Sequence, residues 1–501
     1  MFYINKLKLS ITNKAGMSRI MLLGMSPLPF ENDKKVYGTG IRTWQFTRSL
    51  LEKGHDICLV TYAIRSAYPK DYISEKNYEA SYEGKSFKYI CLNEGDFEDI
   101  SEIKKIYEEF SPDCLIGCTF YPSNIAATLL GSISLEQRVP FWADLFGHVM
   151  AEAQARAFID GSDDALFHYW NGEYNILTCA DMFSCVSERQ SYALIGELGA
   201  AGRLNRYSAG YEFTNTIYCG MPQEDFRHDK NVIRGRGRIG KDDFVILWTG
   251  GYNTWTDIDT LFKALTDAMS QNERIFFVST GAEIPEQDIK TYPRFCSLIE
   301  SSPFRDRFLM NGWIDGRDVH NYYLEADVGI NIDKDIYEVK FGSKNRILDW
   351  MRAGLLTLSS NVCELTDIIE KNGLGYTFRP YKAEELAAKI LYIAEHRRSS
   401  EAIARKAKAY ALENFSFQKT TEKLCMWAQD PSFSPDAKLE RKMLLDREES
   451  IKNFKRITSN QTEMIDQKDK RIRELESIVQ KGFIYKAYAY LKILKRKVLK
   501  R

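Results

Sequence analysis

No run of about 18 or more apolar residues occurs in the chain, so no segment reads as a membrane-crossing helix. Near the N-terminus there is no uninterrupted apolar stretch followed by a cleavage site, which sets aside a secretory signal. The ten cysteines form no CxxC pair and show no Cys/His zinc spacing. Several lie in apolar, strand-like runs and read as buried free thiols in a reducing cytoplasm. Net charge is missing as well, since 69 basic residues balance 69 acidic ones. That balance is not local. Residues 481–501, KGFIYKAYAYLKILKRKVLKR, hold eight Lys or Arg and no acid, and the rest of the chain is net acidic by the same amount. Whole-chain charge therefore excludes no partner, and the local patch becomes the informative feature.

What is present is globular: 44% apolar and 28% charged residues over 501 positions, too many for a single core. SRIMLLGMS (18–26) is a short continuous apolar run, the pattern of a buried parallel strand. GTGIRTWQFTRSLLEKGHDICLVTY then predicts a helix over 41–53, a stop at Gly54 and a strand over 56–62, one strand-helix-strand unit. Strands are expected at 113–120, 139–147 and 180–187. After the loop-rich segment 207–238, a second series places strands at 243–251, 274–280, 307–313, 326–333, 355–360 and 374–378. The fold class that follows is α/β, with two doubly wound Rossmann-like domains over 1–215 and 216–415. Ligands in such sheets bind at the carboxyl ends of the strands, so the site is expected in the cleft between the domains. Residues 416–430 are expected to form a helix that returns to the first domain. Residues 436–480 carry an imperfect heptad pattern, Leu444, Ile451, Thr458, Ile465, Ile472 and Val479, which predicts a long helix or coiled coil capable of self-association. Over 481–501 the pattern becomes a basic amphipathic helix.

The stretch YEVKFGSKNRILDWMRAGLLTLSS (337–360) gathers Lys340, Lys344 and Arg346 between Glu338 and Asp349. A helix entered at Gly342 and Ser343 presents unpaired N–H groups and the positive end of its dipole, which favour an anion. Lys344 and Arg346 add a point charge and a planar fork suited to a diphosphate. Two turns along, Asp349 can accept hydrogen bonds from ribose hydroxyls, and Glu338 from sugar hydroxyls. A solvated, salt-bridged helix start is the other reading of the same residues.

The succession of loop, basic helix start, acidic residue, small residue, Gly and apolar strand resembles retaining glycosyltransferases of family 4, which have the two-domain GT-B fold. Asp349 stands five residues before Gly354, where that family usually has the second Glu of its E-x7-E motif. SKNRILDWMRAG is especially similar to a branch with an earlier Glu eleven residues before the Asp, matched by Glu338. GTGIRTWQFTRSLLEKGH and NGWIDGRDVHNYYLEADVGI resemble further family segments, so the likeness covers residues 18–428. Phe341 occupies the usual place of the first Glu, and the loop GGYNTWTDIDTLF (250–262) lacks the Arg and Lys that normally grip the diphosphate. The resemblance implies a nucleoside-diphosphate sugar as donor substrate, no cofactor and no metal. It also implies a glycan acceptor, transfer with retention, and part of the site in the first domain.

Two sets of candidates follow. Lys344, Arg346, Glu338, His148 and Asp144 are the catalytic ones. Gly250, Gly251, Lys340, Gly342, Ser343, Asp349, Gly38, Gly40 and Arg42 are the binding ones. His148 and Asp144 lie in FWADLFGHVMAE, where relatives have a His or Asp, and a hydrogen-bonded structural role is the competing reading for both. The basic tail suits an anionic membrane surface, with nucleic-acid binding and a solvated helix face as alternatives. Together these features predict a cytoplasmic enzyme held peripherally at the inner face of the cell membrane, acting on a lipid-linked acceptor for a surface polysaccharide, with no nucleic-acid partner. A nucleotide-sugar epimerase of the same fold and a catalytically degenerate scaffold are the other functional readings.

Overall fold

The computed structural model describes residues 16–31, 34–285, 287–437 and 442–498. They divide into two units, 1–437 and 438–501. Within the first, the chain opens with β1 (Arg19–Ser26), followed by β2 (Asp56–Ala63), β3 (Glu75–Tyr82), β4 (Lys85–Leu92), β5 (Cys114–Gly117), β6 (Phe141–Leu145), β7 (Met182–Cys185) and β8 (Thr214–Thr216). These form one sheet in the order β3-β4-β2-β1-β5-β6-β7-β8. All neighbours pair in parallel except β3 and β4. The antiparallel β3–β4 pair is absent from the expected strands because β3, EKNYEASY, is a polar edge strand. Its charges discourage further pairing and hide the apolar run that reveals the central strands.

The second sheet comprises β9 (Phe244–Thr249), β10 (Ile275–Thr280), β11 (Phe308–Met310), β12 (Val328–Asn331), β13 (Leu356–Ser360) and β14 (Tyr376–Phe378). Its order is β11-β10-β9-β12-β13-β14, with parallel pairing throughout. Strand order reverses beside β1 in the first sheet and beside β9 in the second. Both are switch points, where the carboxyl ends of adjacent strands diverge and leave a crevice. The six residues of β9, FVILWT, are all buried, which is why a continuous apolar run marks it.

Residues 228–234 already belong to the second sheet's domain. Glu325 accepts hydrogen bonds from the N–H groups of Val232 (2.9 Å), Ile233 (2.7 Å) and Arg234 (2.7 Å). Beyond β14 the chain recrosses. The helix Glu422–Gln429 sends Leu424, Cys425 and Trp427 into a core shared with Ile20, Leu22 and Trp44. Trp427 meets Trp142 edge-on at 5.3 Å, and Ser18 Oγ donates to the carbonyl of Ala428 at 2.6 Å. Past this helix, Asp436 pairs with Arg203 at 2.8 Å, both side chains fully buried.

The second unit is one continuous helix, Lys442–Val498. Its apolar side chains face solvent, from Ile451, Ile465, Ile472 and Val479 to Phe483, Tyr485, Tyr488 and Leu491. Residues 438–441 and 499–501 of the expected tail segments lie outside the described residues, as does the side chain of Leu444. No helix among the described residues is long and apolar enough to cross a membrane.

Candidate active site

The second sheet builds its crevice from the ends of β9 and β12. At the end of β9 the chain turns through Gly250, whose φ of +86° only glycine adopts without strain. The turn is fixed from three sides. Gly250 N–H donates to the carbonyl of Thr280 (3.2 Å), Trp248 Nε1 donates to the carbonyl of Gly250 (2.9 Å), and Arg346 Nη2 donates to that of Gly251 (3.3 Å). Gly251 needs the absence of a side chain, because a Cβ would stand 2.3 Å from Ile284 Cδ1. The N–H of the binding candidate Gly250 is thus already bonded within the sheet. The glycines' part is to let Arg346 lie against the turn, its guanidinium 4.2 Å from the centre of the Trp248 ring.

Arg346 comes from the helix Asn345–Ala353, whose amino end has no side-chain cap. One of its terminal nitrogens, Nη1, is buried with no hydrogen-bond partner, and burial lowers the pKa of the group. An unpaired buried guanidinium nitrogen costs free energy that an oxyanion would recover. Lys344 stands at the position before the helix and is buried, its Nζ 3.6 Å from the buried Asp333 at the end of β12. Burial pulls the Lys344 pKa down, but Asp333 and Glu338 outweigh it and hold the ammonium charged. Its charge is already met by Asp333.

Glu338 sits in the short helix Tyr337–Phe341. Its Oε2 is buried with no hydrogen-bond partner. Burial raises its pKa to about 7, with Lys344 opposing and Glu152 and Asp333 adding. Glu152 is exposed, yet reduced solvation raises its carboxyl too, against the pull of Arg156. Asp349 is half-buried on the site helix and burial raises it to about 6, Arg352 opposing. One carboxylate oxygen, Glu338 Oε2, and one guanidinium nitrogen, Arg346 Nη1, are thus buried without partners in the segment that follows β12.

Residues 229–410 match the family described as glycosyl transferases group 1. About four fifths of the chain resembles solved structures. Sucrose-phosphate synthase from Thermosynechococcus elongatus aligns with a TM-score of 0.62 at 16% identity, over 81% of this chain and 97% of the other. Anabaena HepE, solved in complex with UDP-glucose, aligns with 0.56 at 14% identity over 82% and 98%. A structure from E. coli described as trehalose-6-phosphate bound with UDP-2-fluoro glucose gives 0.56 at 10% identity over 83% and 100%. No curated protein sequence gives a match. At these identities the structural likeness establishes the fold, which is GT-B.

The GT-B cleft receives some of the expected first-domain residues and not others. Arg42 and Asp144 are not cleft residues. They form a two-pronged pair at 3.0 and 2.7 Å with both side chains at 0% exposure. Gln45 and the Tyr218 carbonyl take a further Arg42 nitrogen at 3.1 Å, and Ser184 Oγ donates to Asp144 at 2.6 Å. No surface remains on either for a substrate. Gly40 is required by packing, since a Cβ would lie 2.1 Å from the Pro27 carbonyl oxygen. Gly38 does face the cleft, 3.3 Å from Asn345 Nδ2 when a Cβ is built on it. Lys340 is 42% exposed and paired with Asp335 at 2.9 Å. Ser343 is half-buried, and the Gly342 N–H closes the preceding helix on the Glu338 carbonyl at 2.9 Å.

His148 joins the two domains. Its Nδ1 accepts from Ala151 N–H at 3.3 Å, which leaves Nε2 to donate to Glu197 at 3.1 Å, and its ring stacks on Phe341 at 4.9 Å. Ser187 Oγ donates to the Phe341 carbonyl at 2.6 Å. Both fix the helix that carries Glu338. Asp333, Lys35 and Trp313 were not among the sequence candidates. The position of Asp333 just past an apolar strand was a readable signal for the first; nothing local marked the pairing of the other two across the cleft. Among the described residues no group of three His, Cys, Asp or Glu side chains is arranged to hold a metal.

Proposed function

We propose that the protein transfers a sugar from a nucleoside-diphosphate donor to a glycan hydroxyl, with retention of anomeric configuration. The observation that carries this reading is the unpaired Arg346 Nη1 beside an uncapped helix start at the β9/β12 switch point. A departing diphosphate gains charge as the glycosidic bond breaks. Fixed donors at that position stabilise the developing charge without reorganising at the moment of reaction. Arg346 supplies the fork and the Asn345–Ala353 helix its dipole, while Lys344, paired with Asp333, holds the helix start in place. In this reading Asp349 accepts hydrogen bonds from the ribose and Glu338 from hydroxyls of the donor sugar. The neutralisation described here is done by protein groups, and we propose a reaction that needs no metal ion.

The tail supports the further proposal of a lipid-linked acceptor. Phe483, Ile484, Tyr485, Tyr488, Tyr490 and Leu491 are exposed among lysines, the composition of a helix lying in an anionic interface at the inner face of the cell membrane. Exposed Ile465, Ile472 and Val479 on one heptad lattice suit self-association. The test of the activity is a panel of sugar nucleotides assayed for binding and for hydrolysis or transfer. One donor should bind and turn over. Binding without turnover of any donor would favour the degenerate scaffold, and inversion at the free sugar nucleotide the epimerase.

A further inference from the structure

The group 1 site described above is short of positive charge. The loop 250–262 contains no Lys or Arg, Lys344 is neutralised by Asp333 at 3.6 Å, and Lys340 by Asp335 at 2.9 Å. Arg346 keeps a buried nitrogen without a partner and has no carboxylate within 4 Å among the described residues, against a ligand that would bring two or more negative charges.

The first domain offers another. Lys35 is half-buried in the loop before Gly38. Its Nζ reaches across the cleft to sit 3.5 Å from the centre of the Trp313 ring. Trp313 is anchored by Nε1 donating to the Glu283 carbonyl at 2.9 Å. Its ring edge lies 3.4 Å from where a Cβ on Gly251 would stand, and the Gly251 carbonyl is the one Arg346 holds. Three residues after Lys35, Gly38 abuts Asn345, the first residue of the site helix. Lys35 and Arg346 thus flank the same turn, one from each domain. An aromatic face attracts an ammonium without cancelling its charge, and Lys35 has no carboxylate within 4 Å among the described residues. Burial lowers its pKa to about 8, with Glu283 only partly offsetting the loss.

We propose that Lys35 binds the donor's diphosphate from the first domain, in place of the cation that the 250–262 loop lacks. The inference rests on the donor-site reading above. Because the free ammonium loses its proton near pH 8 and a phosphate would stabilise the charged form, donor binding is coupled to protonation of this side chain.

The experiment is calorimetric titration of the full chain with UDP, GDP and ADP, and with the corresponding monophosphates. Lys35→Ala should weaken the diphosphate that binds by about tenfold or more, as expected for loss of a charge-assisted contact, with a smaller effect on its monophosphate. Lys35→Arg should retain affinity. Wild-type affinity should fall between about pH 7 and about pH 9.5, and Lys35→Arg should flatten that fall. Unchanged diphosphate affinity in Lys35→Ala would overturn the inference and leave the donor site standing, as would equal losses for mono- and diphosphate. Failure of the wild type to bind any nucleoside diphosphate would overturn the donor-site reading itself, and this inference with it.

Discussion

Lys344 and Arg346 stand two positions apart, yet the fold leaves them different amounts of free charge. Lys344 lies beside Asp333, whereas Arg346 keeps a buried nitrogen without a partner. Their contrast with Arg42 shows what burial decides: the same guanidinium, closed by a buried carboxylate on two prongs, is a structural tie between β6 and the Gly38–Glu52 helix. Glu338 carries a pH signature. Its folded-state pKa of about 7 lies above the ordinary value of 4.5, so the folded chain holds a proton there that the unfolded chain releases. Stability from this group is present below the ordinary value and lost as pH rises through about 7. Glu338→Gln should therefore raise the ligand-free melting temperature at about pH 8 and leave it nearly unchanged at about pH 4. Differential scanning fluorimetry across that range checks it; equal shifts at both ends would show that the carboxyl is not held protonated.

At the scale of elements, the site depends on how closely the Asn345–Ala353 helix lies on its sheet. Trp350 of that helix rests against Gly329 of β12, where a Cβ would fall 2.4 Å from the ring, and Trp350 Nε1 donates to Thr249 Oγ1 at 3.2 Å. Gly329→Ala has to push the helix outward. A cost of about 1–3 kcal/mol is expected from overpacking of this kind, together with weaker nucleotide binding, because Arg346 moves with the helix. Chemical denaturation and titration measure the two effects, and wild-type nucleotide affinity in the variant would contradict the link. The elements themselves were legible in the sequence where strands are buried on both faces, as β1 and β9 are, and where Gly354 ends the site helix in a left-handed turn. The edge pair β3–β4 was not, since its outer strand is polar. The candidates Glu338, Lys344, Arg346 and Asp349, contributed by one continuous segment, could be picked out from the sequence and its family resemblance. The roles of Arg42, Asp144 and Lys35 could not, because each depends on a partner more than 100 residues away.

At the scale of the whole chain, two sheets with separate cores share one cleft, and the return of Glu422–Gln429 to the first core ties the domains at a second point. The Lys442–Val498 helix is a separate unit with its apolar side chains exposed. Deleting 481–501 should abolish co-sedimentation with vesicles containing phosphatidylserine while leaving nucleotide affinity unchanged. Persistent vesicle binding by the truncated chain would place the membrane contact elsewhere. The most direct test of the central claim is titration of wild type and Arg346→Ala with UDP, GDP and ADP. One diphosphate should bind the wild type, and Arg346→Ala should lose about tenfold or more of that affinity while keeping its fold. No binding by the wild type, or equal binding by the variant, would contradict a diphosphate site at the β9/β12 switch point.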